Sequence, residues 1–217
     1  MVKPDTETEV QIPLAGIGLE GELSVPARAT GVVLFAHGSG SSRHSPRNQY
    51  VARTLRERGL GTLLFDLLTE SEEEQERLTG QLRFDIGLLA CRLLGVTYWF
   101  NEREPAKALG YFGSSTGAAA ALVAAADSKV PIRALVSRGG RPDLAGAALK
   151  EVKTPTLLLV GDRDIQVVGL NRQAGTQMSC PHETRLIAGA THLFEEPGAL
   201  EQVAAAAAEW FARHFKV

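Results

Sequence analysis

Cysteine is scarce: Cys91 and Cys180 are the only two in 217 residues, the first inside a helical pattern and the second in a loop. That excludes a disulfide framework and a cysteine-based metal centre, and it makes a reducing cytoplasm the expected compartment. Long apolar runs are missing as well. None approaches the roughly 20 residues of a membrane span, and the opening Met1-Val2-Lys3-Pro4-Asp5-Thr6-Glu7 lacks the apolar centre of a signal peptide. Neither export nor anchoring is expected. Excess charge of one sign is absent: 23 Lys and Arg stand against 25 Asp and Glu, a formal net charge of -2. Such a balance offers no hold to nucleic acid or to an anionic membrane surface.

The glycine-rich stretch after the third strand lacks a phosphate-cradling signature. His37-Gly38-Ser39-Gly40 fits neither G-x-x-x-x-G-K-[ST] nor G-x-G-x-x-G, so its glycines do not read as a nucleotide loop. The acidic run holding Glu70, Glu72, Glu73, Glu74 and Glu76 lacks the Gly and Asn/Asp spacing of a calcium loop. It reads as a solvated loop or short helix. No cofactor and no metal are called for. The partner expected is a small molecule, and oligomeric state is left open.

What is present is enough length and apolar content for one substantial core, and a single domain over 1–217 is expected. Val10 to Ala15 and Leu19 to Val25 read as a hairpin around Gly16-Ile17-Gly18. Continuous apolar runs of buried-strand type follow at Gly31 to Ala36, Thr62 to Leu68, Ala108 to Phe112, Ile132 to Val136 and Thr156 to Val160, with a last strand at Thr184 to Ala188. Helical patterns lie between them. Ser45-Pro46 supplies an N-cap and a first-turn proline for a helix through Arg58; Asp85 to Arg103 places Ile86, Leu89, Leu93, Val96, Trp99 and Phe100 along one face; Gly198 to Phe215 is amphipathic. Eight strands that alternate with helices after the third imply a mostly parallel sheet covered on both faces.

In such a sheet ligands sit beyond the carboxyl ends of the strands. The polar clusters His37 to His44, Ser114 to Thr116, Ser137 to Asp143, Asp162 to Asp164 and Thr191-His192 all fall at those ends. Among them Gly113-Ser114-Ser115-Thr116-Gly117 reads G-x-S-x-G, directly behind a strand and directly ahead of an alanine-rich helix. A serine in that sharp turn has its hydroxyl pushed out above the sheet, which makes Ser115 the candidate nucleophile. A serine hydroxyl needs a base within reach, itself oriented by a carboxylate. His192 and Asp164 fill those roles in the order Ser, Asp, His, with Asp162 a rival acid in the same turn. His182 and His214 do not lie at a strand's carboxyl end; His37 and His44 do, ahead of the serine, where they shape the loop or contact substrate. Backbone donors for an oxyanion are expected at Ser39 and Thr116.

Taken together, His37-Gly38-Ser39-Gly40-Ser41-Ser42, Phe65-Asp66-Leu67-Leu68, Gly113 to Gly117, Ser137-Arg138-Gly139-Gly140-Arg141-Pro142-Asp143-Leu144, Gly161-Asp162-Arg163-Asp164 and Gly189-Ala190-Thr191-His192-Leu193-Phe194 resemble the small, lid-free dienelactone-hydrolase-like branch of the α/β-hydrolase superfamily. Domains of that branch occur fused to phosphoribosyltransferases. The resemblance implies an α/β-hydrolase fold without a lid domain, a Ser-His-Asp triad, and cleavage of small carboxylic esters or thioesters through an acyl-enzyme. It departs at the nucleophile, which is a cysteine in dienelactone hydrolases proper and Ser115 here. The alternatives are a non-catalytic ligand-binding module of the same fold and an acyltransferase with the same triad. Four arginines, Arg43, Arg47, Arg138 and Arg141, lie in the loops around the serine. With His44, three of them (Arg43, Arg138 and Arg141) are candidate substrate contacts for an anionic group. The other reading for Arg138 and Arg141 is bracing of the loops by Asp143, Glu195 or Glu196.

Overall fold

The computed structural model describes residues 7–216; the polar opening, expected to carry no export signal, lies outside them up to Thr6. Eight strands form one sheet: β1 (Thr8–Leu14), β2 (Ile17–Ser24), β3 (Gly31–Ala36), β4 (Gly61–Phe65), β5 (Ala108–Ser114), β6 (Ile132–Arg138), β7 (Thr156–Gly161) and β8 (His182–Ile187). Their spatial order is β1-β2-β4-β3-β5-β6-β7-β8. The hairpin β1–β2 joins β4 antiparallel, and every pairing from β4 through β8 is parallel. Strand order therefore reverses at β3, with β4 on one side of it and β5 on the other. Loops leaving β3 and β5 diverge there and open a crevice.

Period-two alternation in the buried strands feeds two cores. Val33, Phe35, Phe112, Val136 and Leu159 pack beneath α1 (Pro46–Glu57) and α7 (Ala199–His214). Val32, Leu34, Tyr111, Leu135 and Leu158 pack beneath α3 (Ile86–Arg103), α4 (Thr116–Asp127) and α5 (Ala148–Glu151). The helix α6 (Ile165–Gly175) follows β7. Residues apolar on both strand faces thus require helices on both faces, which is the arrangement expected. Among the described residues no separate lid domain stands over the sheet, and no helix is long and apolar enough to cross a membrane.

The acidic run is a helix, α2 (Glu70–Thr79). Thr69 accepts from the Glu72 N–H while the Glu72 carboxylate accepts from the Thr69 N–H at 2.8 Å, a reciprocal capping box. Glu76 is buried and holds Arg83 together with the Leu82 N–H at 2.7 Å, which ties the helix to the 3₁₀ turn Leu82–Phe84. One other boundary differs from expectation. β4 ends at Phe65, short of Leu68, where the Asp66 carboxylate binds Arg43; after β6 a 3₁₀ turn, Pro142–Ala145, is separated from α5 by Gly146, whose φ is +54°.

Across the α3 side the fully buried Tyr111 donates its hydroxyl to Thr97 Oγ1 at 2.7 Å, and Thr97 donates to the Leu93 carbonyl at 2.7 Å. Burial holds the phenol well above its ordinary pKa, so it stays a donor. Tyr111→Phe should cost about 1 kcal/mol by leaving the Thr97 oxygen without its donor, seen as a fall in the urea midpoint at unchanged slope.

Candidate active site

Ser115 has φ +50° and ψ −121°, a conformation that L-residues avoid. Its backbone is pinned on both sides: the N–H donates to the Arg138 carbonyl at 3.3 Å, and its carbonyl accepts from Ala118 and Arg141, each at 3.1 Å. The turn closes only because its flanking glycines have no side chains. A Cβ on Gly113 would sit 2.5 Å from Ala118 Cα, and one on Gly117 would overlap the carbonyl oxygens of Ala36 and His37. The small residues of G-x-S-x-G are thus a packing requirement where β5, α4 and the end of β3 meet.

The loop after β3 lies directly against this turn, with Gly38 facing the Ser115 Cβ. His37 is buried; its Nε2 accepts the Leu67 N–H at 3.0 Å, so the ring proton sits on Nδ1, which donates to the Gly38 carbonyl at 3.0 Å. In a planar trans peptide the Ser39 N–H points opposite to that carbonyl, away from His37. Ser39 Oγ and Thr116 Oγ1 are 3.0 Å apart, so the two segments expected to supply oxyanion donors are brought together.

After β7 the two aspartates separate. Asp162 accepts the Gly189 N–H at 2.8 Å and braces the β8 loop. Asp164 occupies the N-cap of α6, yet its carboxylate makes no capping bond and lies 2.6 Å from His192 Nδ1. The His192 loop is fastened by Glu196, which accepts from the Thr191 N–H at 3.1 Å and hydroxyl at 2.6 Å; these bonds hold the Glu196 carboxyl below its usual pKa. Gly139, at φ +51°, brings the loop after β6 within 3.6 Å of His192 Cε1, measured from where its Cβ would be. Ser115, bonded to Arg138 and Arg141 on either side of Gly139, is thereby brought to the same place. No hydrogen bond joins the Ser115 hydroxyl to His192 here, as is common when no substrate is bound.

Most candidate substrate contacts are engaged elsewhere. Arg43 binds Asp66 and, at 2.5 Å, Glu20; Arg141 forks onto Asp143 at 2.9 and 2.8 Å, and both guanidinium pKa values are raised, for Arg141 chiefly by that fork and for Arg43 by its bonds to Asp66 and Glu20 against the cost of burial. His44 is mostly exposed, 3.0 Å from Glu22, and Arg47 reaches Glu195 at 3.1 Å. Arg138 is buried and bonded to no carboxylate. One contributor escaped the sequence reading: Asn171, fully buried in α6, donates to the Gly140 carbonyl at 2.9 Å and anchors the loop beside Ser115. Its only signal was a polar residue on an otherwise apolar helix face. A groove of about 860 Å³ runs from Ser39 and Gly40 past Arg47 to Glu73 and Arg77 on α2.

A switch-point crevice with a serine in a strained strand-to-helix turn at its edge, and an aspartate-bound histidine in the loop after β8, is the arrangement of an α/β-hydrolase fold. The chain belongs to the alpha/beta hydrolase domain family, which matches residues 29–214. A dienelactone hydrolase from Anabaena variabilis is 52% identical, with a TM-score of 0.95 over 98% of this chain and 99% of that one. An esterase from Pyrococcus furiosus shares the fold alone, at 17% identity and TM-score 0.77 over 97% of this chain and 92% of that one. Proteins of two Mycobacterium tuberculosis strains, provisionally named phosphoribosyl transferases, are 54% identical over 97% of this chain; the chain spans only 47% of their length.

The division of labour between the two aspartates is testable. Asp164→Asn should lower ester turnover by about 10⁴-fold with little change in stability. Asp162→Ala should instead lower stability by about 1 kcal/mol and leave most turnover. A larger kinetic loss from Asp162→Ala would reassign the acid.

Proposed function

We propose that the chain is a serine hydrolase cleaving small carboxylic esters or thioesters through an acyl-enzyme on Ser115. The observation that carries this reading is the forced φ/ψ of Ser115 beside the 2.6 Å Asp164–His192 pair. With Nδ1 protonated and bound to Asp164, His192 has Nε2 free as an acceptor. In the reaction Nε2 takes the Ser115 proton as Oγ bonds to the substrate carbonyl carbon, and the charge moves to the carbonyl oxygen. The N–H groups of Ser39 and Thr116 receive that oxyanion. Collapse expels the alcohol or thiol, which leaves with the proton from His192. Water then repeats the sequence on the acyl-enzyme, releases the acid and restores Ser115.

The close likeness to a protein described as a dienelactone hydrolase supports ester chemistry. Ser115 stands where dienelactone hydrolases proper carry a cysteine, which argues against dienelactone itself as the substrate. The phosphoribosyl transferase name belongs to proteins about twice as long, and no phosphoribosyl transfer is proposed for this chain. No feature of the site favours a vestigial binding module, since nucleophile, base, acid and both donor positions are chemically competent.

Ser115→Ala should abolish labelling by a fluorophosphonate probe and lower ester turnover by about 10⁴-fold or more while the thermal midpoint stays near the wild-type value. Labelling that persists, or that maps to Ser114, would overturn the assignment.

A further inference from the structure

Asn171 is the one polar residue among those that α6 buries, and its amide is half satisfied: Nδ2 donates to the Val167 carbonyl at 2.8 Å and to the Gly140 carbonyl at 2.9 Å, while Oδ1 is buried without a partner. Two carbonyl acceptors on one atom identify that atom as the nitrogen. Burying an amide with its oxygen unpaired opposes folding. The Val167 carbonyl already has the helix ladder of α6, so the bond that this side chain alone supplies is the one to Gly140. From there a line of amides runs to the nucleophile turn. The Gly140 carbonyl shares a peptide unit with the Arg141 N–H, which donates to the Ser115 carbonyl at 3.1 Å. The Ser115 carbonyl shares its own peptide unit with the Thr116 N–H, the donor assigned above to the oxyanion. No peptide bond among the described residues is cis, so in both units the N–H points opposite to the C=O.

We propose that Asn171 is a positioning residue for the oxyanion donor, acting on the Thr116 N–H through the two peptide units 140–141 and 115–116; this rests on the hydrolase reading above. Orientation is the first effect. Ser115 is strained at φ +50° and ψ −121°, and turning the peptide that follows it would relieve the strain. Only hydrogen bonds from Ala118 and Arg141 to the Ser115 carbonyl oppose that rotation. The second of these is as firm as the Gly140–Arg141 peptide that carries it. Gly140 has no side chain to fix that peptide, since a Cβ there would lie 1.9 Å from Ser137 Oγ, and Asn171 supplies the anchor instead. Polarisation is the second effect, because donation into a carbonyl strengthens the N–H at the other end of the same amide. Asp164 stands at the N-cap of α6, seven residues before Asn171 and therefore on nearly the same face. One helix thus sets both the carboxylate behind His192 and the amide behind Thr116.

The test uses Asn171→Leu, which keeps the volume and removes the donor, and Asn171→Ser, whose hydroxyl can still bond the Val167 carbonyl but stops short of Gly140. Val168→Ala, on the same helix and away from the line of amides, is the control for lost stability. For p-nitrophenyl butyrate both Asn171 variants should lose about 10- to 100-fold in kcat, less than the roughly 10²–10³ for removal of an oxyanion donor itself, with KM nearly unchanged. Affinity for 1,1,1-trifluoro-2-heptanone, whose adduct on Ser115 carries an oxyanion, should fall by the same factor as kcat. Leu and Ser should share this loss although their thermal midpoints differ, and Val168→Ala should lower the midpoint with kcat retained. A kcat loss that instead tracks the midpoint across the three variants overturns the positioning role. A readout independent of turnover is the Thr116 amide proton resonance of the ligand-free protein, which should move upfield in both Asn171 variants and not in Val168→Ala. Wild-type kcat, ketone affinity and Thr116 resonance in the Asn171 variants overturn the proposal and leave the hydrolase reading standing. An upfield Thr116 resonance in those variants of a protein that hydrolyses no ester and takes no fluorophosphonate overturns the hydrolase reading and leaves the line of amides from Asn171 standing.

Discussion

The backbone of Ser115 is the constraint on which the site depends. A residue held at φ +50° and ψ −121° carries strain on the order of 1–3 kcal/mol, and it persists because its surroundings leave no alternative. Gly113 and Gly117 admit α4 and the end of β3 to distances that a Cβ would forbid, while Arg138, Ala118 and Arg141 hold the peptide groups on either side. The parallel sheet supplies the rigidity. β5 is flanked by β3 and β6, and after one register shift between Leu109 and Gly110 its pairing with β6 runs unbroken to Ser114, opposite Arg138, so the turn begins from a strand held on both sides.

Around that point the loops are fastened mainly by charge and hydrogen bonds, since residues at strand ends have little apolar surface to bury. Arg43 with Asp66, Arg141 with Asp143, Asp162 with the Gly189 N–H, Glu196 with Thr191, and Asn171 with the Gly140 carbonyl each tie one loop to a neighbour. The partners satisfy one another and drop out of the chemistry available to a substrate. The Asp164–His192 pair is set apart from these ties by its place at the carboxyl ends of β7 and β8, next to the loop after β6.

How far the chain could be read unaided varies from place to place for identifiable reasons. Buried strands announce themselves as runs such as Gly-Val-Val-Leu-Phe-Ala, and the N-caps at Ser45, Thr69 and Asp85 mark helix starts through local hydrogen bonds. Boundaries that rest on distant contacts were misplaced. β4 stops at Phe65 because Asp66 turns to Arg43, and β8 starts at His182, ahead of the expected Thr184, because it pairs with Thr156 of β7. The anchoring by Asn171 is invisible in a helix read alone, since its acceptor is 31 residues away.

The amino-acid sequence by itself determined the α/β order, the alternation that requires helices on both faces, and the turn that exposes Ser115, because each follows from interactions between residues a few positions apart. Tertiary structure alone decided which aspartate meets His192 and which arginine is left without a carboxylate. Asp162 and Asp164 are chemically identical and two residues apart, and only the packing of the β8 loop turns one toward Gly189 and the other toward His192. The four arginines are likewise interchangeable on paper; their fates differ because partners such as Asp66, Glu195 and Asp143 arrive from separate segments of the chain, and none arrives at the buried end of β6.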